Sequence, residues 1–236
     1  NEAVSRGGGI YVRIANLVMS NSKIEHGTAA HGAGVYVDSY GDVTVDASTI
    51  SGNIASANGG GIYCTDAITV TNSILEANVA DDGAAAWSDD SIDIAGSTIR
   101  DNTARRSGGG LAVIDGHMKA ANSGFFGNTA ANDGGAMWNA GRTVALTNIA
   151  FTTNRASRAG AVFNDAYGRM TGTGLLFVGN SAETNGGGIV NNGLLEFANV
   201  TIAGNAALVQ GGGLDCDGEY ARTQFDNALV ALNDAP

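Results

Sequence analysis

Four residues of this chain have the types and the spacing that acid–base chemistry requires. His117 and Lys119 are separated by one residue, and Asp93 and Asp115 precede them in the sequence. A polysaccharide lyase needs a basic side chain that takes a proton close to paired acids. The four residues therefore define one hypothesis for an active site. The alternative is that they are solvated side chains at the corners of a repetitive fold.

Aspartates recur at the first corner of several sequence units, and they are the candidate metal ligands. The four that we consider are Asp38, Asp66, Asp89 and Asp115. Stacked along one edge of a fold, they could gather Ca²⁺, a hard cation that takes six or more oxygen ligands. The regular calcium-binding nonapeptide GGxGxD is absent, so a solvated, solubilising edge is the alternative. We expect no other cofactor.

A column of aromatic residues is the candidate binding surface. Its members each follow an apolar residue that should face the core, and they are Tyr11, Tyr36, Tyr63, Trp87, Trp138 and Phe163. Alternation along a strand predicts that these side chains point outward. The rings could stack on one another over a glycine strand, or they could form a platform for a sugar or a protein partner. Contact with a second copy of the chain, or an inward orientation, is the third alternative.

Internal repeats must position all of these residues. Triplets of small residues begin at Gly7, Gly32, Gly59, Gly83, Gly108, Gly134, Ala159, Gly186 and Gly211. Neighbouring triplets lie between 24 residues (Gly59 to Gly83) and 27 residues (Gly32 to Gly59) apart. A period of this length is typical of a solenoid or another repeat fold. The triplets admit nothing larger than alanine, which indicates that neighbouring units approach closely or that the backbone needs a positive φ.

The pattern inside each unit predicts strands and corners. Val43 and Val45 alternate with Thr44, and equivalent alternation follows in later units; a period of two indicates a strand with one face inward. We predict an all-β fold, a right-handed parallel β-helix of nine coils of about 25 residues, with three short strands per coil, in a single domain over 1–236. A propeller is the alternative, but its blades need about 40 residues.

Asparagine occupies the end of nearly every unit. This column is Asn53, Asn78, Asn102, Asn128, Asn154, Asn180 and Asn205. Amide side chains that lie one coil apart can both donate and accept hydrogen bonds along the rod. We therefore interpret the column as a structural ladder rather than as a ligand-binding site.

Three units carry motifs of a known bacterial family. The segments FFGN (125–128), FTTN (151–154) and FVGN (177–180) accompany small triplets such as GGAM (134–137) and GGGI (186–189). The chain thus resembles the FxxN and GGA(I/L/V) repeats of chlamydial polymorphic membrane proteins and related bacterial extracellular β-helix proteins. The resemblance implies an autotransporter-like passenger, a secreted or surface-exposed adhesin-like rod. It transfers no catalytic residue, because the motif residues are themselves structural. Separately, we expect the chain to be part of a longer surface or secreted protein.

Composition and charge narrow the classes of partner. The formal net charge is −11, which argues against nucleic acid, since phosphates require a basic surface. No apolar run is long enough to insert into a membrane. Cys64 and Cys216 lie six units apart, about 30 Å in a stacked fold, which is far beyond the reach of a disulfide. We expect two separate, partly buried thiols.

Taken together, these patterns favour a non-enzymatic module of a bacterial surface or secreted protein, located outside the cell. We expect a glycan or a host or cell-surface protein as its partner, with self-association as a further alternative. A polysaccharide-active lyase or hydrolase is the main rival function. Ice binding is the third hypothesis, although the outward column that would carry it is mixed: Thr44, Thr69, Asp93, Lys119, Ala145 and Thr171.

Overall fold

The chain winds into a parallel β-helix of nine coils. A computed structural model describes residues 1–236, and it contains strands and turns but no helix. Every strand pairing is parallel, and each partner lies about one sequence unit away; Ile10, for example, pairs with Val35, and Val35 pairs with Ile62. The predicted all-β solenoid with three sheets is confirmed.

The first four coils each contain four short strands. Their bounds are β1 Ile10–Val12, β2 Leu17–Ser20, β3 Lys23–Glu25, β4 Thr28–Ala29, β5 Val35–Val37, β6 Val43–Asp46, β7 Thr49–Ser51, β8 Ile54–Ala55, β9 Ile62–Cys64, β10 Ala67–Thr71, β11 Ile74–Glu76, β12 Val79–Ala80, β13 Ala86–Ser88, β14 Ser91–Ala95, β15 Thr98–Arg100 and β16 Thr103–Ala104.

In the later coils, the two middle strands join into one strand of ten residues. The bounds are β17 Leu111–Val113, β18 His117–Phe126, β19 Thr129–Ala130, β20 Met137–Asn139, β21 Thr143–Thr152, β22 Arg155–Ala156, β23 Val162–Asn164, β24 Arg169–Val178, β25 Ser181–Ala182, β26 Ile189–Asn191, β27 Leu194–Ala203, β28 Ala206–Ala207, β29 Leu214–Asp215 and β30 Arg222–Ala231. These long strands still bend at one residue, because Asn122 and Asn148 keep positive φ angles of 50° and 53°.

The strands form three sheets around the interior of the rod, whose main core lies between the first two sheets. The first sheet has nine strands, from β1 to β29; the second has thirteen, including all the long ones; the third has eight strands of two residues each. Inward side chains from the first two sheets build a cluster of 38 buried residues. Within it, Phe151 stacks between Phe125 and Phe177 at ring-centroid distances of 5.0 and 4.8 Å. The core is therefore a set of columns in which like residues lie over one another.

The small triplets are explained by the approach of the next coil. A Cβ on Gly60 would lie 2.5 Å from the carbonyl oxygen of Val79 and 2.7 Å from that of Ala84. Gly59, which precedes it, has a φ of +66°. The triplet thus combines a left-handed turn with a contact that excludes any side chain. The sequence prediction gave these as alternatives, and both hold.

The internal asparagine column forms a continuous ladder of hydrogen bonds. The Asn78 carboxamide oxygen accepts from the backbone N–H of Asn53 at 3.1 Å and from its Nδ2 at 2.9 Å. Asn78 Nδ2 donates in turn to the Asn102 carboxamide oxygen and to the Ile50 carbonyl, both at 3.0 Å. The ladder residues are buried, so each amide satisfies backbone groups that would otherwise lie unpaired in the interior.

Candidate functional site

The aromatic column runs along the outer side of the first sheet as a stack of rings. Tyr36 lies between Tyr11 and Tyr63 at centroid distances of 5.6 and 4.8 Å, and Tyr63 lies 4.6 Å from Trp87. The ring planes of the Tyr36–Tyr63 and Tyr63–Trp87 pairs are almost parallel, with interplanar angles of 3° and 5°. The column faces away from the core, since its neighbours Val35 and Val37 belong to the core cluster. The rings stack because they are register partners on paired strands, as Tyr36 is with Tyr63 and Tyr63 with Trp87.

Although its side chains point outward, most of this column is shielded from solvent. Tyr36, Trp87 and Phe163 are only 4, 9 and 4% exposed, and Tyr63 and Trp138 are partly covered. Tyr11 alone stays open, at 46%. Polar side chains that precede the small triplets provide part of this cover.

Residues that precede the small triplets fold over the rings. The Arg6 guanidinium lies 5.1 Å from the Tyr36 ring, and the His31 ring meets the Tyr63 ring edge-on at 5.1 Å. The Arg158 guanidinium covers the last member of the column, Phe163, at 4.9 Å. Cation–π contacts of this kind hold the cover in place. The column is therefore a packed layer with little free ring surface.

Burial of the column changes the acidity of its tyrosines. Desolvation raises the pKa of Tyr63 to about 12, and the neighbouring Tyr36 adds to the effect. The pKa of Tyr36 is also raised, again chiefly by burial. Both rings thus behave as interior groups, although they lie outside the central core.

The candidate metal ligands form ion pairs and hydrogen bonds at the corners on which they lie. Asp38 pairs with Arg6 at 3.1 Å, and Asp66 accepts from the backbone N–H groups of Tyr40 and Gly41 at 2.6 and 3.2 Å. The other two candidates, Asp89 and Asp115, are linked through the Asp115 N–H, which donates to the Asp89 carbonyl at 3.2 Å. No group of three or more His, Cys, Asp or Glu side chains converges on a point that could hold a metal ion. The structure does not bring the four carboxylates together.

The candidate lyase residues are partly assembled. Asp93 and Lys119 are register partners on β14 and β18, and His117 lies on the same outward face two residues before Lys119. A hollow of about 400 Å³ contains Asp93 and Lys119, and the Asp93 Oδ1 atom is buried there without a hydrogen-bond partner. Asp115 is separate: it lies at the corner and contacts Arg142 at 3.4 Å.

The threonine column considered for ice binding is aligned but mixed. Thr44 pairs with Thr69, and the next three members in register are Asp93, Lys119 and Ala145 before threonine returns at Thr171. A charged pair therefore interrupts any flat array of hydroxyls in the middle of the rod.

The two cysteines are separate thiols, as predicted, but neither is partly buried. Cys64 is completely buried, and Cys216 is exposed. Burial raises the pKa of the Cys64 thiol to about 12. Cys64 belongs to the first-sheet strand β9, where alternation places its side chain inward, whereas Cys216 directly follows β29 in the connection to β30.

Sequence reasoning missed the aromatic side chains that are most open to solvent. Tyr40, Tyr167 and Tyr220 are 84, 85 and 59% exposed. All three lie at the corner between the first and the second sheet, and we call them the tyrosine corner. Tyr167 and Tyr220 come from coils two apart, yet their rings stack at 6.4 Å. The available signal was a tyrosine within a turn, outside every repeating column.

A second buried asparagine ladder fixes the loop that carries Tyr167. Asn139 Nδ2 donates to Asn164 Oδ1, and Asn164 Nδ2 donates to Asn191 Oδ1, both at 2.7 Å. Asn164 Nδ2 also lies 3.2 Å from the Gly168 carbonyl, and the Gly168 N–H donates to the Asp165 carbonyl at 2.8 Å. The turn 165–168 is therefore tied to the interior, which orients Tyr167 above the corner.

A hollow of about 580 Å³ opens beside Tyr167. The residues that line it are Asp115, Ala140, Gly141, Arg142, Thr143, Tyr167 and Arg169. It offers an aromatic ring, two guanidinium groups and a carboxylate around a floor of small residues. This combination can bind a polar ligand that has one apolar face.

Comparison with known proteins identifies the fold but no individual relative. A family model described as the right handed beta helix region matches residues 1–121, which is 121 of the 236 residues. No curated protein and no solved structure matches the chain. None of its elements is a helix long and apolar enough to cross a membrane. Strand pairing continues with the same register beyond residue 121, as in the pairing of β24 with β27.

Proposed function

We propose that this chain, which belongs to the right-handed β-helix family, is a non-enzymatic rod of a bacterial surface or secreted protein that binds a glycan or protein partner through one corner. The observation that carries the proposal is the contrast between its aromatic groups. The column on the first sheet is packed, whereas Tyr40, Tyr167 and Tyr220 project from the corner. Exposed tyrosines combine an apolar ring with a polar tip at little conformational cost, which suits them to contact surfaces.

The rigid stacking of the coils supports this role. Internal ladders and ring columns fix the backbone on both sides of the corner, so the tyrosines are held at set positions along the rod. A pre-organised surface loses less entropy when it binds. The resemblance to bacterial surface repeats supports an extracellular location, and antibodies against the rod should then label intact source cells or detect it in their medium.

The test is to remove the three tyrosines together. The Tyr40→Ser, Tyr167→Ser, Tyr220→Ser variant and the parent protein are applied to a glycan array and to a panel of cell surfaces. We expect the triple variant to lose most of the parent's binding while it unfolds at the same denaturant concentration. Unchanged binding by the variant, or absence of any bound glycan or cell surface for the parent, would refute the proposal.

A polysaccharide-active enzyme is the second candidate. One observation favours it: Asp93 and Lys119 line the same hollow, and a buried oxygen of Asp93 has no donor. An unpaired carboxylate beside an ammonium group could orient a sugar and take part in proton transfer. Incubation with a panel of uronic-acid polymers, followed by ultraviolet absorbance of new unsaturated ends, tests this activity. Product formation that disappears in Lys119→Ala would establish the enzyme and overturn the non-enzymatic proposal.

A further inference from the structure

We propose that the hollow beside Tyr167 binds a single carboxylated sugar at the end of an otherwise neutral glycan. The inference rests on the proposed function and names the ligand of one part of the tyrosine corner. Three features carry it: a supported aromatic wall, two guanidinium groups with unused donors, and the charge of the whole chain.

The wall of the hollow is the ring of Tyr167. Its far side is supported by Tyr220, whose ring stacks on it at 6.4 Å with an interplanar angle of 27°. The ring is nevertheless 85% exposed, so a large part of its surface remains available to a ligand. A pyranose presents a face of C–H groups that packs on such a ring, while its hydroxyls point to the sides. The anchored turn 165–168 holds this wall in place.

Two guanidinium groups supply hydrogen-bond donors in the same hollow. Arg142 donates from Nε to Asp115 Oδ1 at 3.4 Å, and Arg169 donates from Nη2 to Glu196 at 2.7 Å. These are the only side-chain hydrogen bonds that either arginine makes. Both Nη atoms of Arg142 are therefore free, and the fork geometry of a guanidinium matches a carboxylate in two parallel hydrogen bonds.

The contact between Arg142 and Asp115 would yield readily to a ligand. Its side chains are 77 and 75% exposed, and an ion pair this open contributes little to stability. A ligand carboxylate can thus replace Asp115 as the partner of Arg142 at a small cost in free energy. Asp115 then remains beside the sugar as an acceptor for a hydroxyl group.

The floor of the hollow leaves room for a sugar. Ala140, Gly141 and Thr143 line it, and a Cβ on Gly141 would lie 2.8 Å from the Gly116 carbonyl oxygen. A larger residue at this position would press on the neighbouring coil. The volume of about 580 Å³ lies within the usual range of ligand pockets, about 300 to 1,000 Å³.

Charge restricts the ligand to one acidic group. The chain carries a formal net charge of −11, and Asp115, Asp165 and Glu196 lie around the hollow. A long polyanion would meet repulsion from most of the rod surface. A short-range pairing of one carboxylate with Arg142, in a glycan that is otherwise neutral, avoids this repulsion.

The test is calorimetric titration of the whole chain with four probes. Two carry one carboxylate, sialyllactose and a lactose-based trisaccharide capped by glucuronate; lactose is the neutral parent, and polygalacturonate is the polyanion. We expect one or both of the singly acidic probes to bind at least about tenfold more tightly than lactose or polygalacturonate. This factor is the gain in affinity that we attribute to one bidentate contact between a guanidinium group and a carboxylate. The two acidic probes distinguish a sialate from a uronate ligand.

Matched variants locate the binding. Arg142→Lys keeps the charge but loses the fork, and Tyr167→Ser removes the wall; each should weaken binding at least about tenfold. Arg155→Lys is the control, because Arg155 is an exposed arginine outside the tyrosine corner that also has one acidic partner, Glu183. This control should bind like the parent. All three variants should share the parent's unfolding midpoint, since the side chains are exposed.

The outcomes separate this inference from the proposed function. Failure of both singly acidic probes, equal binding of lactose, tighter binding of polygalacturonate, or full affinity in Arg142→Lys would each overturn the carboxylated-sugar site. If the array or the cell panel still shows binding that the triple tyrosine variant loses, the proposed function stands without this ligand. If neither assay shows binding, both fall.

Discussion

Two groups of aromatic residues in this rod have opposite environments. The column Tyr11, Tyr36, Tyr63 and Trp87 repeats once per coil, and its rings stack at 4.6 to 5.6 Å under a cover of polar side chains. The tyrosine corner has no such period, and its rings project into solvent. In a solenoid, a side chain that repeats in every coil packs against its equivalents in the coils above and below. A side chain that occurs in one coil has no such equivalents to cover it.

The comparison shows that rings repeated in successive coils are largely buried by their neighbours, whereas the tyrosines outside the period stay exposed; these exposed tyrosines are the ones that we propose as contact groups. A column of like rings is completed by the next coil, so it buries apolar area without any ligand. Tyr167 has equivalents in neighbouring coils that are small or polar, such as Gly141 and Asn192, so part of its ring stays uncovered. The following predictions test this contrast, from the largest expected effect to the smallest.

The largest effect should come from the internal asparagine ladder. In Asn128→Ala, the backbone N–H and the Nδ2 of Asn102 lose their acceptor, and the Ile99 carbonyl loses its donor. Buried groups without partners cost about 1 to 3 kcal/mol each, so we expect a loss of about 3 to 4 kcal/mol in the free energy of unfolding. Urea denaturation measures it. Asn148→Ala is the control: Asn148 is exposed, and its Nδ2 donates to Asn122 Oδ1 at the bend of the long strands. It should lose less than about 1 kcal/mol, and equal losses would contradict the contrast.

Removal of a ring from the aromatic column should be the next largest effect. Trp87→Ser deletes an indole that is 9% exposed and stacked on Tyr63. We expect a loss of about 3 kcal/mol in the free energy of unfolding, from lost burial and lost stacking. Tyr40→Ser, at the exposed corner, should change it by less than about 0.5 kcal/mol. Similar destabilisation by both substitutions would break the comparison.

Alkaline pH should destabilise the column by a smaller amount. The Tyr63 pKa rises from 10.0 to about 12 on folding, because burial disfavours the phenolate. The unfolded chain therefore loses this proton first, and stability falls as the pH rises from about 10 to about 12, with no contribution below that window. After solvent screening we expect about 1 kcal/mol. Tyr63→Phe should reduce the alkaline loss in urea denaturation, and an undiminished loss would place the effect elsewhere.

Metal removal should have the smallest effect. Because Asp38, Asp66 and Asp115 are engaged with Arg6, with backbone N–H groups and with Arg142, we expect the same melting temperature in EDTA and in excess Ca²⁺. Scanning calorimetry provides the comparison. A clear rise in melting temperature with Ca²⁺ would show that the acidic corner binds this ion.

The repeating parts of the molecule could be predicted from the sequence, because residues that are one repeat apart stack over one another and share the same environment. Val43, Thr44 and Val45 alternate in the sequence, and they alternate between core and surface in the structure. The small triplets likewise pointed to a close approach of neighbouring coils, which Gly60 shows. These inferences needed only the spacing of equivalent residues.

Lateral contacts and corner turns could not be predicted in the same way. Alternation gave the direction of the Tyr36 side chain, but the Arg6 side chain that covers it comes from the preceding coil and follows a rotamer choice. Tyr167 and Tyr220 meet across two coils through turns with no repeated sequence. Such contacts depend on loop conformation, on which the period gives no information.

The most direct test compares one tyrosine from each group in a single titration. Tyr63→Ser and Tyr167→Ser are each titrated with the singly acidic glycan that the parent binds best, at a temperature where both variants remain folded. We predict that Tyr63→Ser binds like the parent and that Tyr167→Ser binds at least about tenfold more weakly. Loss of binding in Tyr63→Ser together with full binding in Tyr167→Ser would show that the packed column, and not the corner, is the contact surface.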